Sequence, residues 1–468
     1  MRAAWWEHLW ESVADRGREL LKLDSERKPL DQLLLCCREL MGKTGEAMGT
    51  ALAREIVQRC EQLSPDERST FLDLLCNDFA PNHQLVRQCA ERYLADQQDL
   101  DAFLALSRAI EPPRQELLRR INRAQRGTAI LVSLRAHLLA LLPERPGLRA
   151  VDADFRHLFN AWFNPGFLEL RRIDWRSPAN VLEKLISYEA VHAIQGWGDL
   201  RRRLAQDRGC FAFFHPSLPD EPLIFVEVAL VKGMPDSAAP LLSLDSEVID
   251  PRDANTAAFF SINNCQQGLR GISFGNFLIK QVMAELQADR SGLEAFVTLS
   301  PLPKFADNLR RLLRGEIAVP TAGIAAVIGD QAPYLCAQTA QSDPGKALLQ
   351  ILEGDWRPHQ EQLKTPLCRL ALYYLTQMRR GRLPLDPVAN FHLANGARLE
   401  RINPFADTSR ERFRDSFGVM VNYLYDPSKI ERNHERFIAN GTVALSKPLA
   451  RQVKKIRERL STRASKGG

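Results

Sequence analysis

The stretch that decides the fold reads Ser261-Ile-Asn-Asn-Cys-Gln-Gln-Gly-Leu-Arg-Gly-Ile-Ser-Phe-Gly-Asn-Phe-Leu-Ile-Lys280. It starts inside an apolar run, residues 257–262, that predicts a strand, and it leads into an amphipathic pattern that predicts a helix over residues 276–289. Between the two lies a polar loop punctuated by glycines. A second apolar run, residues 295–299, predicts another strand, so this part of the chain forms a strand–loop–helix–strand unit.

The loop is a candidate anion-binding site, because backbone N–H groups at the start of a helix attract negative charge. Gly268, Gly271 and Gly275 allow the backbone to bend and a ligand to approach closely. The spacing is neither the Gly-x-Gly-x-x-Gly of dinucleotide-binding folds nor the P-loop pattern, which disfavours both classes. A hydroxyl, Ser300, follows the next strand. Most strand–glycine loop–helix units bind no ligand, so the pattern alone is compatible with a substrate whose nucleotide tail is held at the loop and whose reacting end is held near Ser300, but does not favour it.

The composition excludes several functional classes. The chain has 468 residues, enough for two or three domains, and its formal net charge of +6 favours an anionic ligand without implying nucleic acid. We find no run of about 18 apolar residues that would predict a membrane span, and no apolar signal-peptide core. The nine cysteines and nine histidines show no metal-binding spacing. Without a signal peptide, we expect reduced thiols in a cytoplasmic protein.

The chain divides into two predicted domains. Residues 1–158 are almost entirely helical in pattern, with a capping box at Ser64-Pro-Asp-Glu67, and predict a helical bundle. In 159–468, the runs 210–214 and 223–231 predict a β-hairpin that precedes the strand–loop–helix–strand unit. The sequence therefore predicts an α+β protein, with an all-α N-terminal domain followed by a mixed α/β domain that carries helical additions toward its C-terminus.

Further elements are predicted from local patterns. Ser177-Pro178 predicts a helix start, and that helix is expected to continue through Val191. Asn395-Gly396 is a turn signal. After Ser300 we expect helices over residues 304–313, 344–352, 365–378 and 413–424.

Four stretches taken together resemble the malonyl-CoA decarboxylase family along nearly the whole chain. They are Phe159-Asn-Ala-Trp-Phe-Asn-Pro-Gly-Phe-Leu168 with Ile173-Asp-Trp-Arg-Ser-Pro-Ala179, the segment 260–280, Leu299-Ser-Pro-Leu-Pro303, and Phe391-His-Leu-Ala-Asn-Gly-Ala397 followed by Arg401-Ile-Asn403 and Met420-Val-Asn-Tyr-Leu-Tyr425. The resemblance implies that the N-terminal helical domain serves in oligomerisation. It also implies that the C-terminal domain has a GNAT-like N-acetyltransferase fold adapted to decarboxylation.

The signature of that acetyltransferase fold, Gln/Arg-x-x-Gly-x-Gly/Ala, is incomplete in this chain. Gln266 and Gly271 fit it, whereas Leu269 stands at the position of its first glycine. This departure makes ordinary acetyl transfer less favoured. It leaves the anion-binding geometry of the loop possible.

The resemblance also implies which residues form the site. Ser300 matches the family's catalytic serine, His392 its catalytic histidine, and Tyr425 and Ser261 match positions that line the same site. Some family members carry Glu where this chain has Ser273, so we assign no essential charge to that position. The loop implied to hold coenzyme A consists of Arg270, Gly271, Ile272, Ser273, Phe274, Gly275 and Asn276.

The expected reaction converts malonyl-CoA to acetyl-CoA and CO2. It needs neither an organic cofactor nor a metal, because the thioester carbonyl accepts the electrons left behind by CO2. His392 is expected to protonate the enolate, with a pKa suited to proton transfer at neutral pH. Ser300 has no base near it in sequence, and it is expected to hydrogen-bond the carboxylate or the enolate oxygen rather than to act as a nucleophile. The expected partners are malonyl-CoA and further copies of the chain, as a dimer or tetramer, and neither nucleic acid nor a membrane.

Two alternatives stay open at this level. The chain can instead be an acyl-CoA-dependent N-acetyltransferase, which needs an acceptor pocket and a general base, or a non-catalytic CoA-binding protein in which the helical domain does the work. Apart from the resemblance, Ser300 is typical of a turn, His392 of a core residue and Tyr425 of packing. Release of CO2 from malonyl-CoA without an acceptor separates the three hypotheses.

Overall fold

The computed structural model describes residues 28–43, 45–272, 277–290, 292–317 and 321–464. The chain forms two compact units, each of which is assembled from separate parts of the sequence. One unit contains the described residues of 1–169, 213–224 and 264–275, and the other contains those of 170–212, 225–263 and 276–468.

The N-terminal part of the first unit, up to Trp162, is built from helices, as the sequence predicts. Its capping box is present: the Ser64 hydroxyl accepts a hydrogen bond from the Glu67 N–H at 3.3 Å, and the Glu67 carboxylate accepts one from the Ser64 N–H at 2.9 Å. The helices are α1 (Pro29–Met41), α2 (Glu46–Gln62), α3 (Pro65–Asn77), α4 (His83–Ala95), α5 (Leu100–Ile110), α6 (Pro113–Asn122), α7 (Gly127–Leu141) and α8 (Arg149–Trp162).

The remaining elements combine strands and helices, which confirms the predicted α+β class. The strands are β1 (Glu169–Ile173), β2 (Arg208–Phe214), β3 (Ile224–Val231), β4 (Thr256–Asn264), β5 (Ala295–Thr298), β6 (Ser300–Pro301), β7 (Arg379–Arg380), β8 (Leu383–Pro384), β9 (Arg398–Asn403) and β10 (Met420–Tyr425). The helices are α9 (Ala179–Tyr188), α10 (Trp197–Arg203), α11 (Ala239–Leu242), α12 (Phe277–Asp289), α13 (Phe305–Leu313), α14 (Thr321–Ile328), α15 (Ala332–Thr339), α16 (Pro344–Glu353), α17 (Gln360–Thr376), α18 (Pro387–Ala394), α19 (Arg410–Ser416), α20 (Ile430–Asn440) and α21 (Lys447–Ala464). No helix in the described ranges is long and apolar enough to cross a bilayer.

The main sheet is mixed and has the strand order β1-β2-β3-β4-β5-β10-β6, with β9 also pairing with β10. Strands β4 and β5 are parallel, and their pairing ends at Phe259 and Thr298 with a 3.0 Å hydrogen bond from the Leu299 N–H to the Phe259 carbonyl. Strand β4 continues to Asn264 beyond this point. The two strands therefore part at the level of Ser261 and Ser300.

Packing decides which face of the sheet these two serines occupy. Phe260 and Leu299 are buried in one hydrophobic cluster, together with Leu241 and Met420. Because successive side chains of a strand point to opposite faces, Ser261 and Ser300 point away from this cluster. Strands β2 and β3, predicted as a hairpin, are adjacent and almost wholly buried, as expected for apolar strands that are covered on both faces.

The predicted helix over residues 413–424 is wrong. Helix α19 ends at Ser416, and Phe417 and Gly418 then take left-handed backbone angles, with φ of 51° and 74°. Residues 420–425 form β10 instead, in the middle of the sheet. This segment alternates valine and tyrosine with other residues, and β-branched and aromatic side chains favour a pleated, buried strand over a helix.

Of two further local predictions, one needs a smaller correction and one is confirmed. Helix α9 ends at Tyr188, short of Val191, because the extended Glu189 turns its carboxylate onto the N–H groups of Val191 and His192. Asn395 and Gly396 form the predicted turn, which closes helix α18. Gly396 is left-handed, with φ of 83°, and a Cβ there would lie 2.2 Å from the Ile430 carbonyl oxygen.

Candidate active site

Ser300 follows strand β5 after a single residue, Leu299, that belongs to neither strand. Thr298 is the last residue of β5, and Ser300 begins β6, in which it pairs with Val421 of the antiparallel strand β10. Ser300 is 7% exposed, so it lies within the protein rather than on a surface turn. A position within a strand fixes the direction of a side chain more tightly than a position in a loop does.

Three residues predicted from the sequence come together in one buried hydrogen-bonded chain. Ser300 Oγ lies 2.9 Å from His392 Nε2, and His392 Nδ1 lies 2.9 Å from the Tyr425 hydroxyl. The Ser300 hydroxyl donates to Thr298 Oγ1 at 2.9 Å. With that proton so placed, the neutral imidazole donates from Nε2 to Ser300 and accepts at Nδ1 from Tyr425. The site thus contains a continuous path for a proton from the phenol to the serine.

Helix α18 and strand β10 hold the imidazole of His392. The helix starts at the buried Asp386, whose carboxylate caps the N–H of Ala389 at 2.8 Å, and a proline follows at the first helical position. The ring stacks on Tyr423, with centroids 4.5 Å apart and planes 26° apart, and meets Tyr425 edge-on. These contacts hold the ring in the orientation that points Nε2 at Ser300.

Burial changes the acid–base properties of the two aromatic residues. It lowers the pKa of His392 from 6.5 to about 3, and it raises the pKa of Tyr425 well above 10. Both residues are therefore neutral at physiological pH. The sequence-based expectation of a histidine that titrates near neutrality is wrong, because full removal from water disfavours the imidazolium and no neighbouring carboxylate offsets that cost.

The expectation that Ser300 has no base near it holds for the sequence but not for the structure. In the structure, His392 lies within hydrogen-bonding distance of Ser300, as a histidine does beside the nucleophilic serine of Ser-His-Asp triad sites. In those sites a carboxylate orients the histidine and stabilises the imidazolium formed when serine loses its proton. Here Tyr425 occupies that place, and a phenol carries no charge to stabilise an imidazolium. The pair is therefore better suited to donating a proton than to generating an alkoxide.

Two residues that were not predicted from the sequence, Thr298 and Asn422, support the hydrogen-bonded chain of Ser300, His392 and Tyr425. Thr298 Oγ1 accepts from the Tyr423 N–H at 3.2 Å as well as from Ser300. Asn422 is fully buried, and its side chain donates to the Thr298 carbonyl at 2.8 Å and accepts from Asn403 at 2.8 Å. The sequence signal for Asn422 is a polar residue inside an apolar strand. It was hidden because residues 413–424 were predicted to be a helix.

Ser261 belongs to a different hydrogen-bonded cluster. Its Oγ lies 2.8 and 2.7 Å from the two carboxylate oxygens of Glu189, and Asn263 donates to both Ser261 and Glu189 at 2.7 Å. Glu189 is buried, and it also accepts the two N–H groups that end helix α9. This cluster fixes Ser261 on β4, on the face that it shares with Ser300. A role of Ser261 toward substrate stays a prediction.

The predicted coenzyme A loop begins with a tight turn. The Ile272 N–H donates to the Leu269 carbonyl at 3.0 Å, and Gly271 between them has φ of 78°. With Arg270 at φ −57° and ψ 128°, this is a type II β-turn, which requires glycine or asparagine at its third position. The other members of the predicted loop, Ser273, Phe274, Gly275 and Asn276, lie outside the described residues.

Within the ranges that the structure describes, no group of three or more His, Cys, Asp or Glu side chains is arranged to hold a metal ion. None of the nine cysteines, all of which lie in the described ranges, forms a disulfide. Burial raises the pKa of several of them, among them Cys36 to about 11 and Cys60 to about 12. These thiols are therefore protonated at physiological pH and are not activated nucleophiles.

The chain matches known proteins along most of its length. A model of the malonyl-CoA decarboxylase C-terminal domain matches residues 166–464, and a model of the N-terminal domain of the same family matches residues 79–163. The mitochondrial malonyl-CoA decarboxylase of Anser anser anser is 34% identical over 376 residues, which cover 76% of this chain and 74% of the relative. That of Rattus norvegicus is 33% identical over 400 residues, covering 82% and 81%.

Solved structures give the same result at higher identity. The crystal structure of malonyl-CoA decarboxylase from Rhodopseudomonas palustris is 44% identical, with a TM-score of 0.80, and the match covers 90% of this chain and 99% of that chain. The enzyme from Agrobacterium vitis is 43% identical, with a TM-score of 0.76 and the same coverage. Since two family models together match most of the sequence, and relatives above 30% identity cover most of both chains, the chain belongs to the malonyl-CoA decarboxylase family.

Proposed function

We propose that this protein is a carboxy-lyase that converts malonyl-CoA to acetyl-CoA and CO2 without an organic cofactor or a metal. The observation that carries the proposal is the buried, uncharged chain of Ser300, His392 and Tyr425. It can place hydrogen-bond donors and a transferable proton beside a substrate while excluding water. Membership of the family supports the substrate and the type of reaction.

The reaction needs little beyond positioning. The bond between the α-carbon and the carboxylate breaks, its electron pair moves into the thioester carbonyl, and CO2 leaves an enolate behind. A donor near the enolate oxygen stabilises this charge, and contributions of this type are worth about 10²–10³-fold in rate. We assign this role to the Ser300 hydroxyl, whose single proton turns from Thr298 Oγ1 to the enolate oxygen when substrate is bound. The carbonyl itself is the electron sink, so the proposal requires no Schiff base, flavin or metal.

The enolate carbon then takes a proton, which we assign to Nε2 of His392. As that proton leaves, Nδ1 takes up the proton of the Tyr425 hydroxyl, so the imidazole is neutral before and after the step. The Tyr425 hydroxyl later regains its proton from solvent. Supporting this route are the two 2.9 Å contacts on opposite sides of the ring and the absence of a carboxylate among the described residues that hydrogen-bond to His392.

We further propose that the segment from Arg270 to Asn276, the seven positions named from the sequence, holds the nucleotide end of coenzyme A. The described part supports this proposal. Gly271 adopts the left-handed conformation, and among the described residues other than its chain neighbours no atom lies within 4 Å of the position that a Cβ would take there, which supports a backbone that a ligand can approach. The net charge of +6 also favours a phosphate-bearing substrate.

The pH dependence of the reaction distinguishes a neutral from a charged histidine. Because the pKa of His392 is about 3, we expect kcat to be level between about pH 5.5 and 8. If the imidazolium were the acid, kcat would fall tenfold for each unit of pH above about 6.5. Steady-state kinetics with saturating malonyl-CoA at constant ionic strength test this prediction. A descending limb near pH 6.5 that disappears when His392 is replaced contradicts it.

The same pKa affects the stability of the fold. The folded state takes up a proton on His392 only near pH 3, whereas the unfolded chain does so near pH 6.5. Between these values the unfolded state binds more protons, so this residue makes the free energy of unfolding decrease as the pH falls from 6.5 toward 3. Assays below pH 5.5 therefore need a parallel measurement of folding.

We propose that the protein forms a homo-oligomer, a dimer or tetramer, through the helical unit. Helix α4 has no buried residue, and exposed apolar side chains cover α4 and α5. Exposed apolar side chains concentrated on two neighbouring helices are typical of an interface, and a second copy of the chain presents the same side chains. The side chains concerned, with their exposed fractions, are Leu85 (46%), Leu94 (67%), Leu100 (67%), Phe103 (51%) and Ile110 (53%).

Charge on this apolar surface is expected to dissociate the oligomer. The double variant Leu94→Glu with Phe103→Glu should move the mass measured by light scattering at micromolar concentration from a multiple of the chain mass to a single chain. The matched control is Leu383→Glu, since Leu383 is an exposed leucine outside the helical unit. A wild type that is monomeric, or a double variant that keeps the wild-type mass, contradicts the prediction.

Incubation with malonyl-CoA and no acceptor tests the proposed function. We expect stoichiometric CO2 and acetyl-CoA. An N-acetyltransferase or a CoA-binding protein without catalysis would release no CO2. Nine cysteines of which none forms a disulfide support a reducing compartment, and we propose the cytoplasm.

A further inference from the structure

We infer that Arg135, in the middle of helix α7, is a positioning residue for substrate binding, because its guanidinium holds the turn that starts the coenzyme A loop. The inference rests on the proposed role of that loop. It assigns to a helix of the first unit, for which the family resemblance implied only oligomerisation, a part in binding the substrate. Arg135 and the turn belong to the same compact unit.

Arg135 is 1% exposed, and it makes three polar contacts inside the protein. Its Nε donates to the Asp152 carboxylate of helix α8 at 2.9 Å. Its Nη1 donates to the carbonyl of Gly268 at 2.5 Å and to the carbonyl of Arg270 at 3.0 Å. One guanidinium thus connects helices α7 and α8 to two successive bends of the loop backbone.

The contact with the Arg270 carbonyl selects the geometry of the turn. Type I and type II turns have the same ends and differ by a flip of the central peptide, which here joins Arg270 to Gly271. Because a trans peptide is planar, its N–H points away from its carbonyl. With the carbonyl held by Arg135, the Gly271 N–H points away from Arg135, and we assign this N–H to the side that faces the ligand. If the hydrogen bond is lost, the peptide is free to flip, and this donor would then turn toward Arg135.

Close packing against helix α7 supports the same conclusion. A Cβ on Gly268 would lie 1.9 Å from the Val132 carbonyl oxygen, so the backbone of the turn touches that of the helix. Burial lowers the pKa of Arg135, because a charged guanidinium inside the protein is less well solvated than one in water. A buried ion pair is seldom needed for stability alone, since apolar residues of similar volume serve as well. The Nη1 group of the guanidinium, by contrast, is used on two carbonyls of the turn.

A second buried arginine in the same unit provides a matched control. Arg114 of helix α6 is 5% exposed, and its Nε donates to Asp154 of helix α8 at 2.5 Å. Its Nη1 lies 3.4 Å from the carbonyl of Cys76 in helix α3, and so it contacts helices rather than the loop. Arg114 and Arg135 thus share burial, a carboxylate partner on α8 and the unit, and differ in contact with the turn.

The experiment compares Arg135→Lys and Arg114→Lys with two substrates, malonyl-CoA and malonyl-N-acetylcysteamine, which lacks the nucleotide. Lysine keeps the charge and cannot hold both the carboxylate and the two carbonyls. For Arg135→Lys we expect KM for malonyl-CoA to rise at least about tenfold, with kcat within about twofold and no change for the short substrate. For Arg114→Lys we expect a lower Tm and unchanged KM for both substrates.

Gly268→Ala supplies a second variant should Arg135→Lys fail to fold by circular dichroism. It leaves the arginine in place, and its Cβ displaces the turn from Val132, so we expect the same rise of KM confined to malonyl-CoA. A folded Arg135→Lys with unchanged KM, or an equal loss with both substrates, overturns the inference. A wild type with equal KM for both substrates overturns the role of the loop itself, and so separates the failure of that proposal from the failure of this one.

Discussion

Replacing His392 with alanine is expected to lower kcat for malonyl-CoA decarboxylation by at least about 100-fold while KM changes little. The variant loses the proton donor and breaks the connection from Tyr425 to Ser300. Ground-state binding of the nucleotide end does not depend on this residue. Steady-state kinetics, with CoA binding measured by calorimetry, check both parts of the prediction.

Because His392 is buried, its removal also leaves a cavity, and a loss of activity alone would not establish its role. Leu393→Ala is the control, since this neighbour on helix α18 is equally buried and lies outside the hydrogen-bonded chain. We expect it to lower Tm while kcat stays within a few-fold of the wild type. If His392→Ala keeps full turnover, His392 is not the proton donor.

Ser300→Ala is expected to lower kcat by about 10²–10³-fold, the effect of removing one preorganised donor from an enolate or oxyanion. The hydroxyl is held between Thr298 and His392, so alanine removes it without moving the strand. Ser416→Ala is a suitable control, because this buried serine donates to the Arg412 carbonyl at 3.0 Å within helix α19. Near-normal kcat in Ser300→Ala would mean that the enolate is stabilised elsewhere.

The two changes together show whether the residues act as a unit. If Ser300 and His392 serve one transition state, the double variant should lose little more activity than the more damaging single variant. Effects that multiply would indicate two independent contributions. The hydrogen bond of 2.9 Å between them favours the first result.

Local rules of chain geometry made much of the fold predictable from sequence. The apolar run of β4, the glycine loop and helix α12 follow from hydrophobic periodicity, and the capping box of α3 follows from Ser64 and Glu67. The error at residues 413–424 has a local cause as well. An arginine-rich helical pattern runs directly into β10, and the break depends on the left-handed pair Phe417 and Gly418.

The candidate site was predictable in its residues but not in its electrostatics. The family resemblance identified Ser300, His392 and Tyr425, which the structure brings within hydrogen-bonding distance along the chain of contacts. The protonation state depends on burial, which comes from β10 and α18 folding around the ring, and no sequence pattern reports it. Likewise, the contact of Arg135 with the loop joins residues that lie 133 and 135 positions apart.

The most direct test of the account is the identity of the products when the protein turns over malonyl-CoA in D2O. A serine bonded to a histidine can in principle cleave the C–S bond, and the structure argues for C–C cleavage because a phenol stands where a carboxylate would be needed. We predict one CO2 for each acetyl-CoA. We also predict a single deuterium in the acetyl methyl group, delivered through the exchangeable hydrogens of Tyr425 and His392. Malonate and free CoA, or acetyl-CoA without deuterium, would contradict it.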